Sequence, residues 1–139
     1  MTQRRVASGR GARAGARSGH GESGSSTVEF AIGTALMVTM LTVIVQFGLY
    51  FHLRAVAQTA AREGLDHVRV VDGSPDDGIE TANEFLDQAG QSLQARHVTA
   101  ERGPVTSSLT VAGNVVSVVP GLSLRIDVTV DAPTERVTP

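Results

Sequence analysis

The chain has 139 residues, no cysteine, and a formal net charge of −2, with arginine supplying all twelve of its basic residues. That length allows one small domain, and the missing cysteine excludes disulfides, thiol nucleophiles and thiolate metal centres. The charge is unevenly placed: residues 1–51 carry five Arg against Glu22 and Glu29, a sum of +3, and residues 52–139 carry seven Arg against twelve acids, a sum of −5. The larger, acidic part is therefore a poor ligand for nucleic acid, which needs concentrated positive charge.

Residues 1–24 contain six Gly and five Arg (Arg4, Arg5, Arg10, Arg13, Arg17) with almost no large apolar side chain. Such a segment buries too little surface to offset its chain entropy, so it is predicted to be a disordered leader. Basic residues just before a membrane span are retained in the cytoplasm, which places the N-terminus inside and the C-terminus outside. An RNA-binding tail is the competing reading of these arginines, and the adjoining apolar run favours the membrane. Arg4-Arg5 is a poor twin-arginine signal, because the usual apolar residues do not follow it.

From residue 30 to residue 51 there is no Asp, Glu, Lys, Arg, His or Pro. A helix over this run would be about 33 Å long, enough to cross a hydrocarbon core of about 30 Å. The membrane helix is predicted over residues 25–52. Ala31, Ala35, Thr39, Thr42 and Gln46 fall within an arc of roughly 80° on it. Small and weakly polar residues on one stripe suit close packing against another helix, and a lone amide such as Gln46 seeks a partner in hydrocarbon.

No proline occurs before Pro75, and Leu53, Ala57, Ala60, Ala61, Gly64, Leu65 and Val68 continue a helical spacing through Val70. The segment 25–70 is predicted to be one helix of about 70 Å, with Gly33, Gly48 and Gly64 as soft points. Asp72-Gly73-Ser74-Pro75-Asp76-Asp77-Gly78 breaks it. A second helix is predicted to start at the capping-box-like Asp77-Gly78-Ile79-Glu80, burying Ile79, Ala82, Leu86, Ala89 and Leu93, with Phe85 beside them. Beyond Arg96 the period changes to two. Leu109 and Val111 alternate with polar residues, Gly113-Asn114 offers a hairpin turn, and residues 115–119 return as a strand that Pro120-Gly121 ends. Leu122, Leu124, Ile126, Val128 and Val130 then alternate with Ser123, Arg125, Asp127, Thr129 and Asp131, the cleanest strand pattern in the chain. A shorter strand fits around residues 97–101. The fold class is α+β: a long N-terminal helix, a short second helix and a small antiparallel sheet, with residues 53–139 forming the outer domain.

Catalytic chemistry finds no foothold. The four His residues are scattered at His20, His52, His67 and His97. Glu63 and His67, four apart on a helix, read as a surface pair rather than half a metal site. Asp72, Asp76, Asp77 and Glu80 miss the calcium-loop spacing and suit turn and capping roles. No Gly-x-Ser-x-Gly elbow, Ser-x-x-Lys or phosphate loop occurs. No enzyme activity, cofactor, metal or small-molecule substrate is predicted.

Glu29 needs a separate reason. A carboxylate within a membrane helix costs on the order of 2–3 kcal/mol at depth, less near the interface. A place in the headgroup layer would account for it. If the chain is cut between Gly24 and Ser25, however, the new amine stands at position one and Glu29 at position five. In a bundle of such helices, the carboxylate of one subunit can neutralise the amine of its neighbour where screening is weak, and the pairing fixes axial register.

Gly24 followed by Ser25, with Glu29-Phe30 at the fifth and sixth positions and then a long apolar helix, resembles type IV prepilins. The Glu-aromatic pair is similar to the tight-adherence (Tad/Flp, type IVc) branch. Gln46-Phe47-Gly48 and Ala60-Ala61-Arg62-Glu63-Gly64 look like TadE-like minor pilins, and Ala132-Pro133-Thr134-Glu135 is similar to their C-termini. Asp66 stands where this resemblance would place a second basic residue. The resemblance implies that a membrane aspartyl prepilin peptidase removes residues 1–24 on the cytoplasmic side. It further implies a minor pilin or assembly factor, with the lipid bilayer, other Tad minor pilins and the inner assembly platform as partners and no catalytic residues of its own. Gly24 would suit the cleavage position because a side chain there would obstruct the protease.

Three rivals remain. Ala55-Val56-Ala57 formally fits signal-peptide cleavage, but the apolar run is longer than the about 7–15 residues of a signal core. A membrane-anchored extracytoplasmic binding or structural domain of another envelope complex would make Gly24 and Glu29 dispensable. The pilin reading instead has Gly24→Leu block maturation and Glu29→Ala impair assembly. An enzyme would show turnover by the outer domain.

Overall fold

The computed structural model describes residues 23–136. The elements run α1 (Ser23–Arg69), α2 (Pro75–Ala89), β1 (Leu93–Arg102), β2 (Thr106–Val115) and β3 (Leu124–Pro133), an α+β layout as expected. Most of the leader, for which the sequence predicts disorder, lies outside the described residues. The chain divides into two units, residues 1–36 and 37–139, and α1 has residues in both.

In the first unit, every side chain described from Ser26 to Leu36 is exposed, including those of Val28, Phe30, Ile32 and Leu36. In the second unit, α1 stays exposed from Met37 through Val45 except for half-buried Thr42, and its pattern then changes. Gln46, Leu53, Ala57, Ala60, Ala61, Gly64, Leu65 and Val68 are buried at helical spacing, the stripe of a helix laid on a core.

α1 ends at Arg69, where Asp72 takes a left-handed backbone (φ 66°) and the Gly73 N–H donates to Val70 O at 3.0 Å. α2 begins earlier than the sequence suggests. Ser74 is its N-cap, accepting from the Asp77 N–H at 3.1 Å, and Pro75 occupies the first turn. Proline is pre-set for that position and lacks only an N–H that would be unpaired there, so the Ser-Pro pair displaces the start expected at Asp77. Ala82 and Leu86 form the buried face, Ile79 and Phe85 are half-buried, and Ala89 is exposed.

The sheet is an antiparallel meander in the order β1-β2-β3. β1 is a full ten-residue strand, and the β1–β2 turn is Gly103-Pro104-Val105, closed by Gly103 N–H to Thr106 O at 3.0 Å. The hairpin turn expected at Gly113-Asn114 is absent: both residues pair within β2, Gly113 with Ile126 and Asn114 with Gln94 and Arg125. Gly113 is small for another reason. A Cβ there would lie 2.7 Å from Leu93 Cγ, where β1 bulges between Gln94 and His97 with Ala95 at φ 47°. Residues 116–119, expected as a strand, form the start of the β2–β3 connection. β3 alternates as expected, with Ile126 and Val128 buried and Arg125, Asp127, Thr129 and Asp131 exposed.

Leu109, Val111 and Val115 of β2 join Ile126 and Val128 under the small residues of α1 and under Ala82 and Leu86 of α2. α1 from Gln46 to Val68 rises about 33 Å and β2 from Val115 to Thr106 about 31 Å, so helix and strand match in length. The C-terminal segment closes one end. Glu135 N–H donates to Arg69 O at 2.8 Å, Thr134 N–H to Val105 O at 2.9 Å, and the Thr134 hydroxyl meets Ser107 Oγ at 2.7 Å.

Candidate functional site

The candidate residues all lie on α1, and their surroundings sort them into groups. Gly24 and Ser25 lie in the first turn of the helix. Glu29 and Phe30 follow, both exposed, Phe30 at 76%. Among the described residues the ion pairs involve Arg69, Arg96 and Arg125, and none involves Glu29. Ala31, Ala35 and Thr39 are exposed as well, and the Thr42 hydroxyl donates to Val38 O at 2.8 Å. Among the described residues one helix is long and apolar enough to cross a membrane, Ser26–Arg69. Its bare apolar surface over Val28, Ile32, Leu36, Leu41 and Ile44 is far more than a water-facing helix carries singly.

Gln46 stands apart from the rest of its stripe. It is only 1% exposed, its Oε1 accepts from Val118 N–H at 2.7 Å, and its Nε2 donates to Val116 O at 3.4 Å. The amide that the sequence reads as seeking another helix thus meets the backbone of its own β2–β3 connection. The sequence signal for this was only half legible: an amide in an apolar run demands a partner, but nothing local says that the partner lies about 70 residues on.

The Ala60-Ala61-Arg62-Glu63-Gly64 block is divided by the helix period. Ala60, Ala61 and Gly64 are buried, and Arg62 and Glu63 are exposed. Gly64 meets Gly78 of α2 backbone to backbone: a Cβ on Gly64 would lie 2.5 Å from Gly78 O and 2.7 Å from Leu109 Cδ1. A Cβ on Gly78 would likewise collide with Val68 Cγ2 and lie 2.6 Å from Gly64 O. The block is a docking face that lets α2 and the sheet approach α1 closely. Gly78, which the sequence reads as part of a cap, is the other half of that contact.

Arg102 escaped notice in the sequence. Its Nη1 donates to the carbonyl oxygens of Val68, of Val70 at 2.7 Å and of Gly73 at 2.9 Å, covering a carbonyl of the last turn of α1 and two of the turn that follows. Gln46 and Arg102 therefore pin opposite ends of the sheet to α1. Among the described residues no three His, Asp or Glu side chains gather where a metal could bind. The geometry of residues 46–68 is that of a packing face within the chain.

Residues 24–66 match the model of the TadE-like protein family. The match starts at Gly24, takes in Glu29, Gln46 and the Ala60–Gly64 block, and covers neither α2 nor the sheet. No curated protein and no solved structure matches the chain.

Proposed function

We propose that this chain, whose residues 24–66 form a TadE-like domain, is a minor pilin or pilus-assembly subunit of a tight-adherence (Tad) pilus. The observation that carries the reading is the match itself, which begins at Gly24 and runs through Glu29 into the Ala60–Gly64 block. The exposed apolar stretch of α1 supports a single-pass membrane protein, since that surface needs lipid or other apolar helices around it. The basic residues before the span put the N-terminus in the cytoplasm and residues 53–139 outside.

In this reading a prepilin peptidase cuts after Gly24. The new amine at Ser25 and the Glu29 carboxylate of an adjacent subunit neutralise each other as helices assemble, and the exposed Ala31, Ala35 and Thr39, with half-buried Thr42, face the neighbouring helices. Ala60, Ala61 and Gly64 hold the outer domain on the helix, so their role is within the subunit. The work of the chain is structural, with other minor pilins and the inner assembly platform as partners.

The test is the intact mass of the membrane-extracted protein. Processing gives an N-terminus at Ser25, and Gly24→Leu accumulates the uncut chain. A wild-type protein that keeps Met1 in cells with an active prepilin peptidase refutes the reading.

A further inference from the structure

We infer that the β2–β3 connection, residues 116–123, is a second membrane-contacting element, seated among the lipid headgroups and upper acyl chains beside α1, with Gln46 marking the outer edge of the span. The inference rests on the membrane reading above and adds a specific lipid-facing surface to it.

Gln46 lies inside the uncharged run of residues 30–51, yet its amide binds the backbone at Val116 and Val118. Wherever residue 46 sits relative to the bilayer, the loop sits beside it. A loop at the end of a sheet cannot enter the hydrocarbon centre, where unpaired backbone groups find no water. Residue 46 must then be at the boundary, well before the end of the apolar run. A span takes about 20 residues, and counting back from Val45 that number reaches Ser26. Glu29 then falls inside the inner edge of the hydrocarbon, not in the aqueous headgroup zone, which strengthens its need for a cationic partner.

The loop is constructed for such a boundary. Val118 is 51% exposed and Leu122 39% exposed, with Pro120 between them. Several of its polar groups are turned inward: Val118 N–H to Gln46, Leu122 N–H to Val119 O at 3.2 Å, and the Ser117 hydroxyl to Val119 O at 2.6 Å. Pro120 has no N–H, and Gly121 at φ 81° completes a type II turn with exposed Pro120 and Gly121 at its corners and exposed Leu122 just after them. No charged residue occurs between Arg102 and Arg125.

Charge is also sorted by end. The neighbouring loop Gly90-Gln91-Ser92, joined to this one by Val116 N–H to Ser92 O at 3.2 Å, is uncharged. The opposite end of the sheet carries Arg69, Asp72, Asp76, Asp77, Glu135 and Arg136. The first charges met beyond the apolar end are Arg54 on α1, the Arg96–Asp87 pair and exposed Arg125 with Asp127 on β3, and the three arginines lie where lipid phosphates would be. An uncharged tip backed by arginines is an arrangement that suits a bilayer surface.

The absence of cysteine makes the test clean. The full chain carrying single substitutions Val118→Cys, Leu122→Cys, Leu41→Cys or Val105→Cys is labelled with an environment-sensitive NBD probe. It is reconstituted in phosphatidylethanolamine–phosphatidylglycerol vesicles containing shallow or deep spin-labelled lipid. The expected result is blue-shifted emission at 118 and 122 quenched mainly by the shallow lipid, deep quenching at 41, and a water-like signal at 105. Probes at 118 and 122 in water while 41 is in lipid overturn the inference and leave the membrane reading standing. A probe at 41 in water overturns both. A shift at 118 and 122 that disappears on dilution with lipid assigns the loop to a second copy of the chain and also overturns the inference.

Discussion

Replacing Gly64 by alanine tests the helix-packing account, because two effects of known sign oppose each other there. Helix propensity alone favours alanine by about 1 kcal/mol. The added Cβ, however, would lie 2.5 Å from Gly78 O, 2.7 Å from Leu109 Cδ1 and 3.0 Å from Ala82 Cβ. The first of these is backbone, which no rotamer change can relieve, so α1 and α2 must separate. Overpacking of this kind costs about 1–3 kcal/mol, and three close contacts at once place it toward the upper end. The net expectation is destabilisation of roughly 1–2 kcal/mol, or a fall in Tm of about 4–16 °C at the 4–8 °C per kcal/mol of a small domain. Gly48 supplies the control, since a Cβ there meets nothing within 4 Å. Gly48→Ala is expected to leave Tm unchanged or raise it by a few degrees. Thermal unfolding of the full chain in detergent micelles, followed by circular dichroism, reads both variants. A Gly64→Ala protein as stable as wild type, or an equal loss in Gly48→Ala, would refute the close-contact account.

The two pins at the ends of the sheet make separable expectations. Gln46→Leu leaves Val118 N–H and Val116 O without their partner, a loss of about 1–3 kcal/mol. It should appear as faster hydrogen exchange at Val118 with little change at Leu109 and Val111; unaltered exchange at Val118 would show that the amide contributes nothing. Arg102→Ala uncovers the carbonyl oxygens at the end of α1, where a bond from a charged donor is worth about 1.5–3 kcal/mol. The Gly73 and Arg69–Glu135 region should then exchange faster and the Gln46 end should not, and a uniform effect over the whole sheet would contradict the local assignment.

Long-period features were legible in the sequence and contacts between distant segments were not. α1 declared itself through an uninterrupted helical spacing that ends at Arg69, one residue short of the expected limit, and β3 through strict alternation. The errors came where one residue type serves two purposes. Gly113-Asn114 has turn chemistry, but Gly113 is required by the Leu93 side chain that the β1 bulge brings over it, and a bulge leaves no period to read. Asp77 has capping chemistry, but Ser74 offers the same oxygen one position ahead of a proline that is pre-set for the first helical turn. The valines of residues 115–119 look like one strand, but Pro120 and the bond from Val118 to Gln46 take the chain off the sheet after Val115. At the candidate site the sequence identified Gln46 as an amide in need and assigned its partner to another helix, whereas the backbone at Val116 and Val118 holds it.

The extent of the family match, residues 24–66, has a physical counterpart in α1. One helix must satisfy two solvents. Its first part exposes Val28, Phe30, Ile32 and Leu36, and its later part buries Ala57, Ala60, Ala61 and Gly64 against protein. Either demand alone leaves much freedom, since lipid accepts any large apolar side chain and a sheet accepts many core residues. Together they restrict α1 heavily. Small residues at 57, 60, 61 and 64 set how near α2 and the sheet can come, while the partners need only present aliphatic surface such as Leu86, Leu109 and Ile126. A helix of this kind can carry a different sheet if that sheet meets the same shallow docking face. The recognisable signature therefore belongs to α1, and the residues that close the fold onto it, Arg102, Gly78 and the backbone at Val116 and Val118, lie beyond the matched segment.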